Sequence, residues 1–259
     1  MKILLFSNAF VSNNEYPNIE FIKSYDQASD ETAYVYFKEL FRYAADDKFI
    51  FTLYPDMFSL SDGNRNFNIL QSEGNDIRIV QNMEEALLNA KRKRRNTVIF
   101  PAFGYQNLTA AAAATIMKAM MDGITNFRIL NDLKSEKALL EGLLEQDNTI
   151  EGVLLTTETA NLFGKNRLME LAAKCNVYFS STNIDNNSVS ENLDALIHNI
   201  YMKNQRQNLH ASIRDFENKT IDAVISEVFE LQDGEWKNYG LIPSSKYRIR
   251  EKYLRYELT

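Results

Sequence analysis

Residues Asn96 to Met121 read NTVIFPAFGYQNLTAAAAATIMKAMM. A β-branched and aromatic run, Thr97 to Phe103, stops at Gly104, crosses a short polar loop and enters an alanine-rich segment with helical character. That order is a strand–loop–helix unit with its loop at the carboxyl end of the strand. Open α/β sheets bind ligands at that end, because the strand ends form a crevice and the helix start offers unpaired N–H groups. The stretch therefore predicts both the fold class and the place of a site.

Working outward, the same rhythm recurs. Lys2 to Phe6, Ile19 to Ile22, Phe49 to Leu53 and Ile77 to Val80 read as strands, as do Phe127 to Leu130, Gly152 to Leu155 and Val177 to Ser180. Between them Glu31 to Ala45, Met83 to Arg92, Thr109 to Asp122, Ser135 to Leu144 and Arg167 to Lys174 space their apolar residues as helices do. Strands separated by helices imply βαβ units and largely parallel sheets. The expectation is an α/β fold of two Rossmann-like lobes, over residues 1–94 and 95–206. A C-terminal helical and extended segment, residues 207–259, packs back on them. It opens with a helix over Ile221 to Phe229, and a free tail would not carry Trp236, Tyr239, Leu241, Ile242 and Tyr247.

Composition narrows the function classes. With 259 residues and 45% hydrophobic content, the chain can bury a normal core. A net charge of −6 argues against nucleic acid or an anionic membrane as the main partner. Met1 to Phe10 is apolar but too short to span a bilayer, and reads as a buried first strand rather than a signal peptide. The single cysteine, Cys175, excludes a disulfide framework and a multi-cysteine metal site within these residues, and two histidines make an all-protein zinc site improbable. A cytoplasmic protein is expected.

Several short constellations carry two readings each. Gly104-Tyr105-Gln106-Asn107 is either a backbone cradle for a small anionic or polar ligand, with Gln106 and Asn107 as donors, or a tight turn capped by Asn107 or Thr109. Pro55-Asp56-Met57 ends another strand, where Asp56 either positions a ligand or starts a turn. Glu158, in Thr156-Thr157-Glu158-Thr159 ahead of Phe163-Gly164, is either a desolvated base or a solvated loop carboxylate. Lys91-Arg92-Lys93-Arg94-Arg95 is either a basic patch or a hydrated helix end whose cations complement the dipole. Cys175 reads as a small buried residue, and no Ser/His/Asp or Cys/His arrangement is visible.

The order of segments resembles one known family. FIFTLYPDMFSL (Phe49 to Leu60), EGNDIRIV (Glu73 to Val80), EEALLNA (Glu84 to Ala90) and VIFPAFGY (Val98 to Tyr105) are similar to the hydrogenase maturation factor HypD. NFRILND (Asn126 to Asp132), EGVLLTTETANLFG (Glu151 to Gly164) and SEVFELQDGEWKNYGLIPSSKYRIREKY (Ser226 to Tyr253) continue the likeness. The resemblance implies a cytoplasmic scaffold that assembles an iron–cyanide–carbonyl unit with a small HypC-like protein or another assembly partner. It also implies cysteine motifs after the first two strands, a Gly-Phe-Glu-Thr-Thr loop, and a cysteine-rich iron–sulfur segment at the end of the chain.

This sequence departs from those motifs where the chemistry should be. Ser7-Asn8-Ala9-Phe10 follows the first strand, and Gln27 and Asp30 fall at the two cysteine positions of the second. Gly104-Tyr105-Gln106-Asn107-Leu108 carries an amide in place of the acid, and Thr157-Glu158-Thr159 stands where a Gly-His-Val loop is expected. The iron–sulfur segment would begin near Thr259. Thiolates are soft donors that Gln and Ser cannot replace, and the hard oxygens of Asp30 and Glu158 hold another ion only weakly. The expectation is a HypD-like fold without thiol or iron–sulfur chemistry, no catalytic or metal-ligating residue, and no cofactor. Its interlobe cleft would bind a partner or small ligand, with Ser7, Gln27, Asp30, Asp56, Gly104, Tyr105, Gln106, Asn107, Glu158 and Gly164 as candidates. The competing reading is an enzyme using the carboxylates and amides on a small polar substrate.

Overall fold

The computed structural model describes residues 1–6, 16–23, 39–61, 65–183, 186–203, 207–208, 213, 219–236 and 239–258. The chain forms two Rossmann-like α/β lobes with parallel sheets and a C-terminal antiparallel hairpin. The lobes are interleaved along the chain. One unit combines Met1–Gln27 with Lys137–Lys219, and the other combines Ala28–Glu136 with Thr220–Thr259. Neither coincides with the consecutive ranges 1–94, 95–206 and 207–259 expected from the sequence. The reason lies in strand pairing: the first strand pairs with Glu20–Lys23 on one side and, on the other, with Gly152–Thr156 well over a hundred residues later, and not with the strand at Phe49.

In the first unit the sheet order is β2-β1-β7-β8-β9, from β1 (Lys2–Phe6), β2 (Glu20–Lys23), β7 (Gly152–Thr156), β8 (Tyr178–Thr182) and the short β9 (Gln207–Asn208). β1 runs parallel to β7 with Ile3 opposite Gly152 and Phe6 opposite Leu155. Both strands are nearly continuous apolar runs, as a sheet covered on both faces requires. Helices α6 (Thr157–Phe163), α7 (Lys165–Cys175) and α8 (Asn186–Met202) belong to this unit. Leu193, Leu196 and Ile200 of α8 pack with Ile3, Leu5 and Leu154.

In the second unit the order is β4-β3-β5-β6, from β3 (Phe49–Leu53), β4 (Ile77–Ile79), β5 (Thr97–Gly104) and β6 (Phe127–Leu133). Helical residues 39–44 (α1), α2 (Phe67–Ser72), α3 (Met83–Arg92) and α4 (Gln106–Met121) cover it. Ala112, Ala113 and Ala119 of α4 are fully buried, and their small side chains let the helix lie close on Val98, Phe100 and Ala102. α5 (Glu136–Gln146) begins at the boundary between the units. α9 (Lys219–Val228) leads into the hairpin of β10 (Phe229–Trp236) and β11 (Gly240–Ile249), where the sequence shows few apolar periods.

The hairpin and the 3₁₀ turn Glu251–Tyr256 close the open edge of β6. The Asn131 side chain donates to the Tyr247 carbonyl at 2.9 Å, and the Leu258 N–H donates to the Ile129 carbonyl at 2.9 Å. An uncovered parallel edge would leave a row of unpaired backbone groups. The C-terminal segment supplies those partners.

Candidate functional site

The polar groups of the second unit gather at the carboxyl ends of β5 and β6. Gly104 ends β5 at φ +154°, a conformation L side chains rarely adopt, and an added Cβ would stand 3.1 Å from Leu108 Cδ2, which would have to give way. Tyr105 then takes the N-cap position of α4 without a side-chain cap bond, and its carbonyl accepts from the N–H and Oγ1 of Thr109. The expected caps, Asn107 and Thr109, both lie inside the helix. The helix starts earlier, with Gln106 at its first position.

Gln106 is 5% exposed. Its Nε2 donates to Asp222 Oδ1 of α9 at 3.0 Å, while Oε1 is buried without a hydrogen-bond partner among the described residues. The amide thus commits its donor side and presents an acceptor, the reverse of the donor role read from the sequence. A buried amide oxygen left alone costs about 1–3 kcal/mol and is normally met by a donor from a ligand or a water. Close by, the Tyr247 hydroxyl is hydrogen-bonded to Ser135, and burial pushes its phenol above the ordinary range. The nearby charges of Asp222 and Glu136 push in the same direction.

One strand over, Asp132 of β6 is 3% exposed and is flanked by two lysines. Lys246 Nζ of β11 stands 2.8 Å from Oδ1 and Lys134 Nζ 3.6 Å from Oδ2. Lys134 also lies over the Trp236 ring, 4.9 Å from its centroid. Tyr105 stacks with the same Trp236 ring, the centroids 6.1 Å and the planes 1° apart. The indole N–H donates to Ser245 Oγ at 2.9 Å. Gly234 makes this approach possible, since a Cβ there would fall 2.7 Å from Ser245 Oγ and 2.8 Å from Lys246 Cβ.

The first unit ends its strands differently. Thr156 closes β7 and caps α6, its Oγ1 accepting from the Thr159 N–H at 3.2 Å. Ser180, Ser181 and Thr182 at the end of β8 are all buried. Thr157 Oγ1 is buried without a hydrogen-bond partner among the described residues. Glu158 is exposed in the first turn of α6, and Gly164 joins α6 to α7 at φ +77°.

Of the residues singled out from the sequence, Gly104, Tyr105, Gln106 and Asn107 lie together at the β5–α4 junction of the second unit. Asp56 lies in the 3₁₀ turn Pro55–Ser59 after β3, a neighbour of β5 in the same sheet. Glu158 and Gly164 belong to the first unit. Ser7, Gln27 and Asp30 lie outside the described residues. Asp132, Lys134, Asp222, Trp236 and Lys246 were missed as site residues. For Asp132 and Lys134 the signal was the polar run continuing past Leu130, while Asp222, Trp236 and Lys246 needed the position of α9 and the hairpin to be read.

The iron and the iron–sulfur cluster implied by the family resemblance do not fit the donors of these 259 residues. A cluster needs several thiolates, and Cys175 is the sole cysteine. It stands half-buried at the end of α7, where burial pushes its thiol up and disfavours the thiolate. Among the described residues no group of three or more His, Cys, Asp and Glu side chains is placed to hold a metal ion. None of the described helices is long and apolar enough to cross a membrane.

These features define a two-lobed, Rossmann-like α/β protein with polar groups concentrated at strand ends. The family model HypD, described as the hydrogenase formation hypA family, matches residues 32–259, and the chain belongs to that family. It is 25% identical over 227 residues to a protein of Methanocaldococcus jannaschii named for hydrogenase expression and formation, covering 83% of this chain and 61% of that one. It is 24% identical over 198 residues to the hydrogenase maturation factor HypD of Cupriavidus necator, covering 72% and 52%. The factor of the same name from Escherichia coli is 24% identical over 197 residues, covering 72% and 51%. The chain thus spans about half to three fifths of the length of these curated relatives.

Proposed function

We propose that this chain is a scaffold or regulator in hydrogenase maturation, without the thiol and iron–sulfur chemistry that its resemblance would imply. It holds a HypC-like small protein, another assembly protein or a small polar ligand at the strand ends of its second unit. The observation that carries the reading is Gln106, buried with its donor bound to Asp222 and its acceptor left open. Such a group matches a ligand or partner atom bearing an N–H or O–H donor. The Tyr105–Trp236 stack and the Asp132 ion pairs hold the surrounding wall. Gly104, Tyr105 and Asn107 form the rim, and Asp56, Glu158 and Gly164 remain candidates in their own strand-end turns.

The test is anaerobic reconstitution with iron and a HypC-type partner, read by infrared spectroscopy, beside a thermal-shift screen of small N–H and O–H donors. Expected are no cyanide bands from the chain, and a ligand or partner that raises the melting temperature of the wild type but not of Gln106→Leu. Bound iron with cyanide bands would refute the loss of chemistry. A screen in which neither donors nor partner stabilises the protein would refute the binding role.

A further inference from the structure

The basic run Lys91 to Arg95 is not absorbed by the strand-end site. It runs from the last turn of α3 into the connection to β5, at the opposite end of the sheet from Gln106. All five side chains are exposed. Lys91 pairs with Asp122 at the end of α4, with Nζ–Oδ2 of 3.3 Å. Arg92, Lys93, Arg94 and Arg95 make no ion pair with any described residue. Four adjacent cations without counter-charge repel one another, and a solvated run of this kind usually stays loose. This one is held in a defined shape. The Asn126 side chain donates to the carbonyls of Ala90, Lys93 and Asn96 at 3.0, 3.1 and 2.8 Å. The Asn96 N–H closes the turn on the Lys93 carbonyl.

Beside the cations stands an apolar surface. The Lys91–Asp122 pair and the Lys118–Glu84 pair tie α3 to α4, and Met120 and Met121 directly precede Asp122. Met121 is 84% exposed, Met120 45% and, on α3, Leu88 42%. Flexible, polarisable methionines suit a protein surface that must accommodate another chain.

From this arrangement we infer that the α3–β5 turn with the end of α4 is a docking surface for an acidic protein segment that also carries apolar side chains. Charge complementarity selects the partner: carboxylates meet Arg92 to Arg95, while leucine-like side chains cover Met120, Met121 and Leu88. A long polyanion fits less well. The chain carries a net charge of −6, so an extended phosphate backbone would be repelled beyond the patch, whereas a short segment feels only charges within about 10 Å. No aromatic ring is exposed in the patch for base stacking.

The test uses the full chain and a short fluorescent peptide repeating Glu-Glu-Leu, compared with an all-Glu peptide of equal charge, oligothymidylate and phosphatidylserine vesicles. The Glu-Glu-Leu peptide is expected to bind most tightly and to weaken as salt rises. Combined Lys93→Glu, Arg94→Glu and Arg95→Glu should lower its affinity about tenfold or more. Met121→Ser should weaken the Leu-bearing peptide and leave the all-Glu peptide unchanged. No saturable peptide binding, binding indifferent to the triple variant, or tighter binding of oligonucleotide or vesicles would each overturn the inference.

Discussion

The two units carry the same parallel α/β plan but finish their central strands with different chemistry. At the ends of β7 and β8 the buried polar groups are hydroxyls, from Thr156, Thr159, Ser180, Ser181 and Thr182. At the ends of β5 and β6 the buried hydroxyls of Thr109 and Ser135 are joined by an amide and charged groups, from Gln106, Asp132, Lys134 and Glu136. Although Thr157 Oγ1 has no partner among the described residues, hydroxyls can be satisfied by backbone groups of the same unit, as Ser180 is on the Asn192 carbonyl. Buried charges cannot, and need partners from elsewhere in the chain. In the second unit the hairpin supplies them, bringing Lys246 to Asp132 and Trp236 to Lys134. One architecture therefore tolerates two polar strategies, and the ionic one depends on a segment more than a hundred residues away.

That contrast predicts unequal costs. Asp132→Ala leaves Lys134 and Lys246 without their carboxylate and should destabilise the second unit by about 3–5 kcal/mol in equilibrium denaturation. Ser181→Ala at the end of β8 should cost the first unit only about 0.5–1.5 kcal/mol. Equal losses would break the comparison. Next in size, Thr156→Ala removes the cap of α6 and should cost about 1 kcal/mol, read in the same experiment. A negligible effect would mean that the α6 start is held by packing alone.

The smallest effect concerns acid. The Lys2 ammonium, 2.6 Å from Asp147, and then the Thr149 hydroxyl and N–H hold the Asp147 carboxyl at about 2, below its ordinary 3.8. A depressed carboxyl contributes its stability fully above the ordinary value and loses it as pH falls through about 2. Asp147→Asn should therefore be slightly less stable than wild type at neutral pH, with the difference vanishing by about pH 2. A constant gap across that window would place the effect in packing instead of charge. The second unit's ionic site should show no such difference between the two proteins.

Much of the fold was legible because buried parallel strands are continuous apolar runs. Lys2–Phe6 and Phe49–Leu53 match their expected spans, and Met83–Arg92 matches as a helix with Asn82 as its cap. The hairpin Phe229–Ile249 was not legible: its faces alternate and its bulge at Gln232–Gly234 interrupts the period, so it read as a tail. α6 was also missed, because a seven-residue helix after a strand shows too few turns for a period. The place of the strand-end site at Gly104 to Asn107 could be read locally, from an apolar run stopped by glycine. The direction of Gln106 could not, since its partner Asp222 lies 116 residues on.

Local sequence by itself determined the strands, most helices, the strand-end position of the site and the lack of thiol donors, because each depends on neighbouring residues or on composition. Tertiary structure alone decided that β1 joins β7 instead of β3, that the hairpin completes the ionic wall around Asp132, and that Gln106 offers an acceptor. Those outcomes rest on pairings between distant segments, and apolar periodicity carries no label for which distant strand or side chain will be the partner.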